Sequence, residues 1–451
     1  MNVTPGIFKA YDIRGTYPDQ LNEEVAIGVA KSYASILKPE TVIIGRDGRT
    51  SGPSLHNAIV TTLLDLGINI IDIGMVSSDM YYYACATKKL PGIMITASHN
   101  PKEYNGFKMV KQIPYFFTGD DEIARIKDMI MTDTYDLPES EQVGQKTDWD
   151  VMDGFVEKTL SLVNQDSFKK FTVVADTANG MVGPTLEKLE SHIGNITMIP
   201  MYFEPDGTFP NHGGDPLEAE NRLDIEAKIK ETGADFGVMF DPDGDRYFVV
   251  DSKGRFISGD FLTAILAKHF LSKHPGAKIV YDIRASKVVP EWIKESGGIG
   301  LYNRVGHSYI KKRMIDEDAV FGGEVTGHYY FADFFHCDSG VLTFLIMLDY
   351  LSETGTDLTK LIDEMEESYF ISGEINTEVE DIEAKLKSIE EKYGPDANEI
   401  LRVDGVSFEF DDWRFNLRSS NTQPLIRLNL EADSKALMEE KRDEVVAFIR
   451  S

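Results

Sequence analysis

A short run of alternating carboxylates, D-P-D-G-D-R, is the segment of the sequence best suited to bind a metal ion. It places Asp241, Asp243 and Asp245 at every second position, and Gly244 allows a tight turn between them. Carboxylate oxygens are hard ligands of the kind that Mg²⁺ and Ca²⁺ prefer. A solvated acidic turn is the alternative interpretation, since D-P-D-G is also favourable turn chemistry. We predict a metal site at this segment.

The same run does not match a calcium-binding EF-hand loop. Counted from Asp241, the sixth position is Arg246 and the twelfth is Ser252, where an EF-hand has Gly and Glu. Magnesium fits better than calcium, because it combines few protein carboxylates with phosphate oxygens. Arg246 would then supply a fixed positive charge to a phosphate.

A serine occupies a comparable point after another apolar run. The segment T-A-S-H-N-P (96–101) directly follows G-I-M-I, so we expect Ser98 on an exposed turn just past a strand. A serine there can act as a nucleophile or as a phosphate carrier. It can also simply cap a helix or the turn itself. His99 could assist Ser98 or orient it.

Two more polar loops have the composition of ligand-binding segments. G-E-V-T-G-H offers groups that would suit vicinal sugar hydroxyls, although a helix-capping loop would look similar. R-S-S-N-T-Q-P could clamp a phosphate with guanidinium, hydroxyl and backbone N–H groups, or could form a polar hairpin turn. The side chains concerned are Glu324, Thr326 and His328 in the first loop, and Arg418, Ser420, Asn421 and Thr422 in the second.

Three isolated basic residues are further candidates. They are Arg14 in Y-D-I-R-G, Lys108 in N-G-F-K and His307 in V-G-H-S-Y-I-K. Each could neutralise phosphate charge or transfer a proton. Each could equally be an exposed side chain, or a buried one whose hydrogen bonds are made within the fold.

The order of apolar runs predicts an α/β protein built from three similar units. Short β-rich runs alternate with helical patterns, such as the apolar residues that recur at helical spacing from Leu21 to Leu37. Each unit has three such runs with helix-length spacers, which predicts mixed or parallel sheets. The runs begin at Thr41, Ile68 and Gly92, at Phe171, Ile196 and Phe236, and at Lys278, Ile299 and Ala319.

The third run of each unit ends in one of the polar loops described above. Parallel α/β sheets bind ligands beyond the carboxyl ends of their strands, so units packed around one centre would bring the three loops to one site. The remainder, after about residue 367, has a helical stretch over 381–392, strand patterns from Ser407 and a last helix from about Lys435 to Arg450. It predicts a smaller α+β domain that carries its own loop.

Composition and charge exclude several functional classes. The 451-residue chain has a formal net charge of −29, from 46 basic and 75 acidic residues, which disfavours a nucleic-acid partner. The apolar run V-L-T-F-L-I-M-L is far shorter than the ~20 residues of a membrane span. The N-terminus lacks a signal-peptide pattern, and two cysteines, Cys85 and Cys337, cannot form a disulfide framework. We expect a cytoplasmic protein of several domains, with no nucleic-acid or membrane partner.

In this order, T-A-S-H-N-P, D-P-D-G-D-R, G-E-V-T-G-H and R-S-S-N-T-Q-P resemble the motifs of the α-D-phosphohexomutase family. Y-D-I-R-G and G-R-D-G-R (Gly45–Arg49) add to the match, which spans Tyr11 to Pro424. The resemblance implies four domains around a central cleft: three repeated mixed-sheet α/β units and a smaller fourth α+β domain. We place their bounds at residues 1–149, 150–250, 251–367 and 368–451.

The resemblance also implies an isomerase of carbohydrate metabolism. It would interconvert hexose 1-phosphate and hexose 6-phosphate through a phosphoserine, with hexose 1,6-bisphosphate as intermediate and activator. Ser98 would carry the phosphate and, with Asp241, Asp243 and Asp245, would hold Mg²⁺. The other implied catalytic residues are Arg14, Lys108 and His307. The protein would be a monomer or homodimer, and its expected partner is the hexose phosphate. This substrate would contact Arg246, Arg284, Glu324, Thr326, His328, Arg418, Ser420, Asn421 and Thr422.

The loop G-E-V-T-G-H is most similar to G-E-M-S-G-H of the phosphomannomutase/phosphoglucomutase type, which implies mannose or glucose as the sugar. Glucosamine enzymes tend to have Gln where this chain has Val325. Val325 and Thr326 replace the usual Met and Ser, and Arg284 stands where members often carry a lysine near the phosphate. The alternatives are a phosphoglucosamine mutase, a metal-dependent phosphatase with an aspartyl nucleophile at Asp241 or Asp243, and a sugar-phosphate sensor without turnover.

Overall fold

The computed structural model describes residues 3–140, 142–419 and 425–451. In the first part of the chain, strands and helices alternate. They are β1 (Ile13–Thr16), α1 (Glu23–Leu37), β2 (Thr41–Arg46), α2 (Gly52–Asp65), β3 (Asn69–Met75), α3 (Ser78–Lys88), β4 (Gly92–Ile95), β5 (Tyr104–Gln112), β6 (Tyr115–Phe116), α4 (Glu122–Thr132) and β7 (Lys146–Asp148). The strands form one sheet in the order β1-β5-β4-β2-β3-β7, with β6 paired to β5.

The second part of the chain forms a sheet of five strands in the order β12-β11-β10-β8-β9. Its elements are α5 (Met152–Leu160), β8 (Phe171–Asp176), α6 (Gly183–Glu190), β9 (Ile196–Met201), α7 (Leu223–Thr232), β10 (Phe236–Phe240), β11 (Tyr247–Asp251) and β12 (Phe256–Ile257).

The third part forms another five-stranded sheet, in the order β14-β13-β15-β16-β17. Its elements are α8 (Gly259–Lys273), β13 (Lys278–Asp282), α9 (Val288–Glu295), β14 (Ile299–Asn303), α10 (His307–Glu317), β15 (Phe321–Gly323), β16 (Tyr329–Phe331), β17 (Cys337–Asp338), α11 (Gly340–Thr354) and α12 (Leu358–Ser368).

The three sheets share one strand order, which confirms the predicted repeat of mixed-sheet units. In the first sheet β2 pairs in parallel with β3 and β4, and β5 joins β4 antiparallel. In the second, β8 pairs in parallel with β9 and β10, and β11 joins β10 antiparallel. In the third, β13 likewise lies between β14 and β15. The predicted third run of that unit, at Ala319, becomes a strand only from Phe321.

The last part of the chain is the predicted α+β domain. Its five strands are antiparallel, in the order β18-β22-β21-β20-β19. Its elements are β18 (Phe370–Glu378), α13 (Ile382–Tyr393), β19 (Glu399–Leu401), β20 (Val406–Glu409), β21 (Trp413–Ser419), β22 (Leu425–Ala432) and α14 (Lys435–Arg450). One face of the sheet is apolar and packs with both helices in a common core.

Packing divides the chain into two units. Unit 1 comprises Met1–Ile257, Gly306–Phe321 and Thr326–Thr356, and unit 2 comprises Ser258–Val305, Gly322–Val325 and Asp357–Ser451. Among the described residues, no helix combines the length and the apolar character that crossing a membrane requires.

Helix α1 shows how the sequence determines local structure. The side chain of Asn22 caps its first turn by accepting the N–H of Val25 at 3.1 Å. The predicted apolar face of the helix is buried, and it includes Tyr33. The Tyr33 hydroxyl lies 3.1 Å from the carbonyl oxygen of Gly92 and 2.8 Å from that of Val110. The helix is thereby tied to β4 and β5, the strands on either side of the serine loop.

A buried ion pair in unit 1 holds the long loop between β9 and α7. His212 Nε2 lies 3.0 Å from Asp176 Oδ2 at the end of β8, and Nδ1 lies 2.7 Å from the carbonyl oxygen of Gly213. Burial alone would lower the pKa of His212. The hydrogen bond to Asp176, the charge of Asp176 and the Gly213 carbonyl together raise that pKa above its ordinary value. The folded protein therefore favours the protonated imidazole.

We predict that His212 makes stability depend on pH. Because its folded pKa is raised, the stabilisation is complete below the unfolded value of about 6.5 and is lost as the pH rises through the folded pKa. Denaturant titrations between about pH 6 and about pH 9 should show the free energy of unfolding of the wild type falling more steeply than that of His212→Asn. His192→Asn, at an exposed histidine, is the control. Equal slopes in wild type and His212→Asn would contradict the prediction.

Candidate active site

Ser98 lies on the turn after β4, as predicted, but it is buried, with only 1% of its surface exposed. Its φ of 50° lies in the left-handed region, which costs a non-glycine residue roughly 1–2 kcal/mol. Its N–H donates to Thr96 Oγ1 at 2.9 Å, and its Oγ lies 2.8 Å from Asp241 Oδ2 and 3.2 Å from His99 Nδ1. The expected exposure was wrong because the Asp241 loop packs directly against the serine.

One buried arginine holds the serine loop in this conformation. Arg49 is 1% exposed, and its Nε donates to Asp47 Oδ2 at 3.2 Å. Its two terminal nitrogens donate to four main-chain carbonyl oxygens of the loop, at 2.6 to 2.9 Å, namely those of Ser98, Asn100, Pro101 and Tyr104. The motif G-R-D-G-R contributed to the family resemblance, but no role was predicted for Arg49 from the sequence. The structure identifies it as the residue that fixes the backbone around Ser98.

The three predicted metal ligands lie together at the end of β10. Asp241, Asp243 and Asp245 are buried, and each offers a carboxylate oxygen within 4.8 Å of the others. Gly244, between them, has a φ of 78°, a conformation that glycine adopts without steric cost. A Cβ atom at Gly244 would lie 2.5 Å from Val182 Cγ2. The turn that gathers the carboxylates therefore requires glycine at this position.

The charge of this carboxylate cluster is only partly compensated. Lys108 Nζ, on β5, lies 2.6 Å from Asp243 Oδ2 and 2.5 Å from Asp245 Oδ2. Oδ1 of Asp243 and Oδ1 of Asp245 are buried and have no hydrogen-bond partner among the described residues. Burial, followed by the charges of Asp243 and Asp245, raises the pKa of Asp241 well above its usual range. Unpaired carboxylate oxygens gathered in this way fit a hard divalent cation such as Mg²⁺.

Two of the predicted arginines lie beside the serine and the carboxylates. Arg14 donates from Nε to Asp12 Oδ2 at 2.6 Å and from Nη1 to Asn100 Oδ1, on the serine loop, at 2.8 Å. Arg246 Nε donates to His328 Nε2 at 3.1 Å and lies 3.6 Å from Asp241 Oδ2. Both guanidinium groups therefore belong to the same part of unit 1 as Ser98.

His328 is held by a buried carboxylate that the sequence did not reveal. Asp338 Oδ2, on β17, lies 2.8 Å from His328 Nδ1, and Asp338 Oδ1 lies 2.7 Å from Lys311 Nζ. The ammonium group of Lys311 also lies over the rings of Tyr82 and Phe116, at 4.2 and 3.9 Å from their centres. Burial by itself would raise the pKa of Asp338, but the charge of Lys311 and the contact with His328 hold it below its usual range. No motif marks Asp338, which the pairing of β17 with β16 brings to His328; Lys311 comes from helix α10, in the segment that also contains His307.

His307 begins helix α10 and lies among aromatic rings. Its ring lies 4.8 Å from the ring of Tyr11 and 5.4 Å from that of Phe116, measured between centres. Both ring nitrogens are buried and lack a hydrogen bond to any described residue. Burial, and then the charge of Lys311, lower the pKa of His307 well below its ordinary value. The lowered pKa disfavours the protonated imidazole, so its ring nitrogen can accept a hydrogen bond from a ligand.

The predicted sugar loop G-E-V-T-G-H connects β15 and β16. Glu324, in unit 2, is 2% exposed, and Thr326, in unit 1, is half-buried. The N–H of Val325 donates to Asp282 Oδ2 at 2.9 Å. This hydrogen bond fixes the backbone next to Glu324 against the end of β13.

The remaining predicted substrate residues belong to unit 2. Arg284 makes hydrogen bonds of 3.1 and 3.0 Å with the two carboxylate oxygens of Asp282, and its Nη1 lies 3.4 Å from Glu374 Oε2. Arg418, on β21, lies 3.9 Å from Asp404 Oδ2 through Nη1. Three further predicted residues lie outside the described part of the chain: Ser420, Asn421 and Thr422.

All four parts of the chain match models of one protein family. The models described as phosphoglucomutase/phosphomannomutase, alpha/beta/alpha domains I, II and III, match residues 5–135, 153–254 and 258–369. The model of the C-terminal domain of the same family matches residues 374–448.

Relatives and a solved structure agree with these matches over the whole chain. A phosphomannomutase of Salmonella montevideo is 35% identical over 450 residues, which cover 98% of this chain and 99% of the relative. A Xanthomonas campestris protein described as phosphohexose mutases is 37% identical over 446 residues, with 98% and 99% covered. The crystal structure of a phosphoglucomutase/phosphomannomutase family protein from Burkholderia thailandensis superimposes with a TM-score of 0.88 at 31% identity, covering 100% of this chain and 98% of that one. The chain therefore belongs to the phosphoglucomutase/phosphomannomutase family.

Proposed function

We propose that the protein is a phosphohexomutase that interconverts the 1-phosphate and 6-phosphate of mannose, of glucose or of both. The observation that carries the proposal is the position of Ser98, whose Oγ lies 2.8 Å from Asp241 in the buried carboxylate cluster. A phosphate on this oxygen would lie between the metal ligands and the basic side chains of unit 1. The turn that presents Ser98 is fixed by Arg49 and is therefore suited to hold such a group in one orientation.

Two phosphoryl transfers make up the proposed reaction. In the first, the bond between Ser98 Oγ and phosphorus breaks, a sugar hydroxyl oxygen forms a new bond to phosphorus, and the hydroxyl proton passes to a base. The Ser98 oxygen is left as an alkoxide, whose charge the cations of unit 1 would stabilise and which accepts the phosphate in the second transfer. The product is a hexose 1,6-bisphosphate. The sugar then turns in the site. In the second transfer, its other phosphate moves to Ser98, and the base gives its proton to the sugar oxygen that carried this phosphate. The same bisphosphate, added from outside, would activate enzyme that has lost its phosphate.

Four groups would hold Mg²⁺: Asp241, Asp243, Asp245 and Ser98 or its phosphate. When bound, the metal would neutralise negative charge on the phosphoryl group in transfer. Asp243 Oδ1 and Asp245 Oδ1 accept no hydrogen bond among the described residues, and the imidazole of His328 lies 3.6 Å from Asp245 Oδ1; oxygens free of hydrogen bonds support the assignment.

The basic side chains of unit 1 would have two functions: some would stabilise negative charge on the phosphate, and one would transfer a proton. Burial alone would lower the pKa of Lys108, but Asp243 and Asp245 raise it above its ordinary value, so Lys108 stays a cation. Together with Arg14 and Arg246 it would stabilise charge that develops on the phosphate. His307 is neutral, and we assign it the proton transfer.

The sugar and the phosphate that is not reacting need their own binding groups. We assign the sugar hydroxyls to Glu324 and Thr326, and we assign His328 to contact with the substrate as well. The residues assigned to the second phosphate are Arg284, Arg418, Ser420, Asn421 and Thr422. Val325 offers no hydrogen bond to an amino group, which favours mannose and glucose over glucosamine. The monomeric or homodimeric state and the cytoplasmic location stay predictions from the sequence.

Replacing Ser98 tests the phosphoserine directly. Ser98→Ala removes the oxygen that carries the phosphate, so kcat/KM for glucose 1-phosphate should fall on the order of a thousandfold or more. Mass spectrometry of wild-type peptides should find the phosphate on Ser98. Ser191→Ala, at an exposed serine, is the control. Phosphate found on Asp241 or Asp243, with release of inorganic phosphate, would support the phosphatase alternative instead.

Removing the metal tests the carboxylate cluster. A chelator should abolish isomerisation, and added Mg²⁺ should restore it. Asp245→Asn weakens a ligand while keeping its shape, so it should raise the Mg²⁺ concentration needed for half-maximal rate. Asp166→Asn, at an exposed aspartate, should not. Full activity in the chelator would rule out a metal-dependent reaction.

A panel of sugars tests the substrate assignment. We expect similar kcat/KM values for mannose 1-phosphate and glucose 1-phosphate and a lower value for glucosamine 1-phosphate, measured with Mg²⁺ and a trace of hexose 1,6-bisphosphate. Preference for glucosamine would overturn the substrate assignment and keep the mechanism. Binding of all three sugars without isomerisation would identify a sensor.

A further inference from the structure

The antiparallel sheet of unit 2 has one polar face, opposite the face that packs on α13 and α14. Side chains of directly opposed residues lie on the same face of a sheet. The opposed pairs that form this polar face are Arg414 with Glu431, Asn416 with Asn429, and Arg418 with Arg427. At one end the face is anchored, since Glu431 accepts hydrogen bonds from Ser286 Oγ at 2.7 Å and from the N–H of Lys287 at 2.9 Å.

The other end of the polar face places two like charges opposite each other. Arg418 on β21 and Arg427 on β22 are direct cross-strand partners, an arrangement that destabilises a sheet unless an anion lies between the charges. Arg284 adds a third guanidinium, and its charge is close enough to Arg418 to affect it. Burial, and then the charges of Arg284 and Arg427, lower the pKa of Arg418. Three carboxylates lie near the three guanidinium groups of this arginine cluster: Asp282 beside Arg284, Glu374 beside Arg284 and Arg427, and Asp404 near Arg418.

Glu374 is the carboxylate that joins two members of the arginine cluster. Its Oε1 accepts from Arg427 Nη1 at 2.9 Å, and its Oε2 lies 3.4 Å from Arg284 Nη1. A bulge in β18 directly precedes it, with Gly373 at a φ of 67°, and bulges commonly redirect the side chains next to them. Glu374 and Arg427 each keep 26% of their side-chain surface exposed, so the pair is accessible to solvent.

Side-chain N–H groups of the arginine cluster can still donate hydrogen bonds to a ligand. Nε of Arg418 and Nε of Arg427 have no hydrogen-bond partner among the described residues. Arg418 Nη1 lies 3.9 Å from Asp404 Oδ2, which is longer than a hydrogen bond. A phosphate brings more charge and more acceptor oxygens than one carboxylate, and it forms strong paired hydrogen bonds with guanidinium groups. A phosphate therefore satisfies these arginines better than Glu374 does.

We propose that Glu374 is an internal substitute for the phosphate, which occupies the arginine cluster of Arg284, Arg418 and Arg427 and gives way when the non-reacting phosphate of the substrate binds. The inference rests on the proposed function, which places that phosphate at Arg418. It also explains why a carboxylate, Glu374, lies where a phosphate is expected to bind. The bisphosphate must leave this cluster to turn between the two transfers, and Glu374 gives the arginines a partner during that release.

Direct binding measures the competition without turnover. The full chain is titrated calorimetrically with inorganic phosphate and with glucose 6-phosphate, in a chelator that removes Mg²⁺ and so prevents isomerisation. Glu374→Gln removes the competing charge, so both ligands should bind about two- to fivefold more tightly, as expected for losing a partly exposed ion pair. Glu390→Gln is the matched control, because Glu390 pairs with Arg402 on the exposed surface of the same domain. It should leave both Kd values unchanged.

A double-mutant cycle and melting curves separate this role from a purely structural one. In an Arg427→Gln background, Glu374→Gln should tighten binding by a smaller factor, since the contact it removes is already lost. If Glu374 only supports the fold, Glu374→Gln should lower the melting temperature and weaken phosphate binding, and that result would overturn the inference. Isomerisation by the wild type is measured alongside. Its absence would refute the proposed function, whereas unchanged phosphate affinity in Glu374→Gln would refute the inference alone.

Discussion

Three buried carboxylates within 4.8 Å of one another repel each other, so the structure around them must supply positive charge. Much of unit 1 is organised by that requirement. Lys108 comes from β5, Arg14 from β1 and Arg246 from the turn itself. The repeated strand order places the serine loop and the carboxylate loop at the carboxyl ends of equivalent strands, β4 and β10. The compensation stays incomplete, and this leaves a binding place for a divalent cation.

The serine loop meets a different constraint, which is conformational. A positive φ at Ser98 is unfavourable for an L-residue, and a loop of this kind would relax if it were free. Arg49 prevents relaxation by binding four of its carbonyl oxygens with one rigid, planar group. Lysine could not replace it equally, since its ammonium group lacks the fixed fork geometry. The backbone position of Ser98 is therefore fixed by the fold itself.

The sequence predicted what depends on local pattern and missed what depends on contacts between distant segments. Apolar periodicity located the strands and α1, and the spacing of the aspartates located the carboxylate cluster. The burial of Ser98 was missed because Asp241 is 143 residues away in the chain. Asp338 and Glu374 were missed for the same reason: an isolated carboxylate has no local signal, and only its partners reveal a role. Motifs show which groups are present, while the packing shows what each group contacts.

The two clusters of charge differ in the way that a two-step phosphoryl transfer requires. Groups that act on the phosphate in transfer must keep their positions, and Lys108 is 3% exposed with two carboxylates against its ammonium group. Groups that hold the other phosphate must release it once in every cycle. Arg427 and Glu374 are both 26% exposed, so they can exchange partners with solvent and ligand. In the proposed mechanism, the first cluster is suited to chemistry in a fixed geometry, and the second is suited to repeated binding and release of a phosphate.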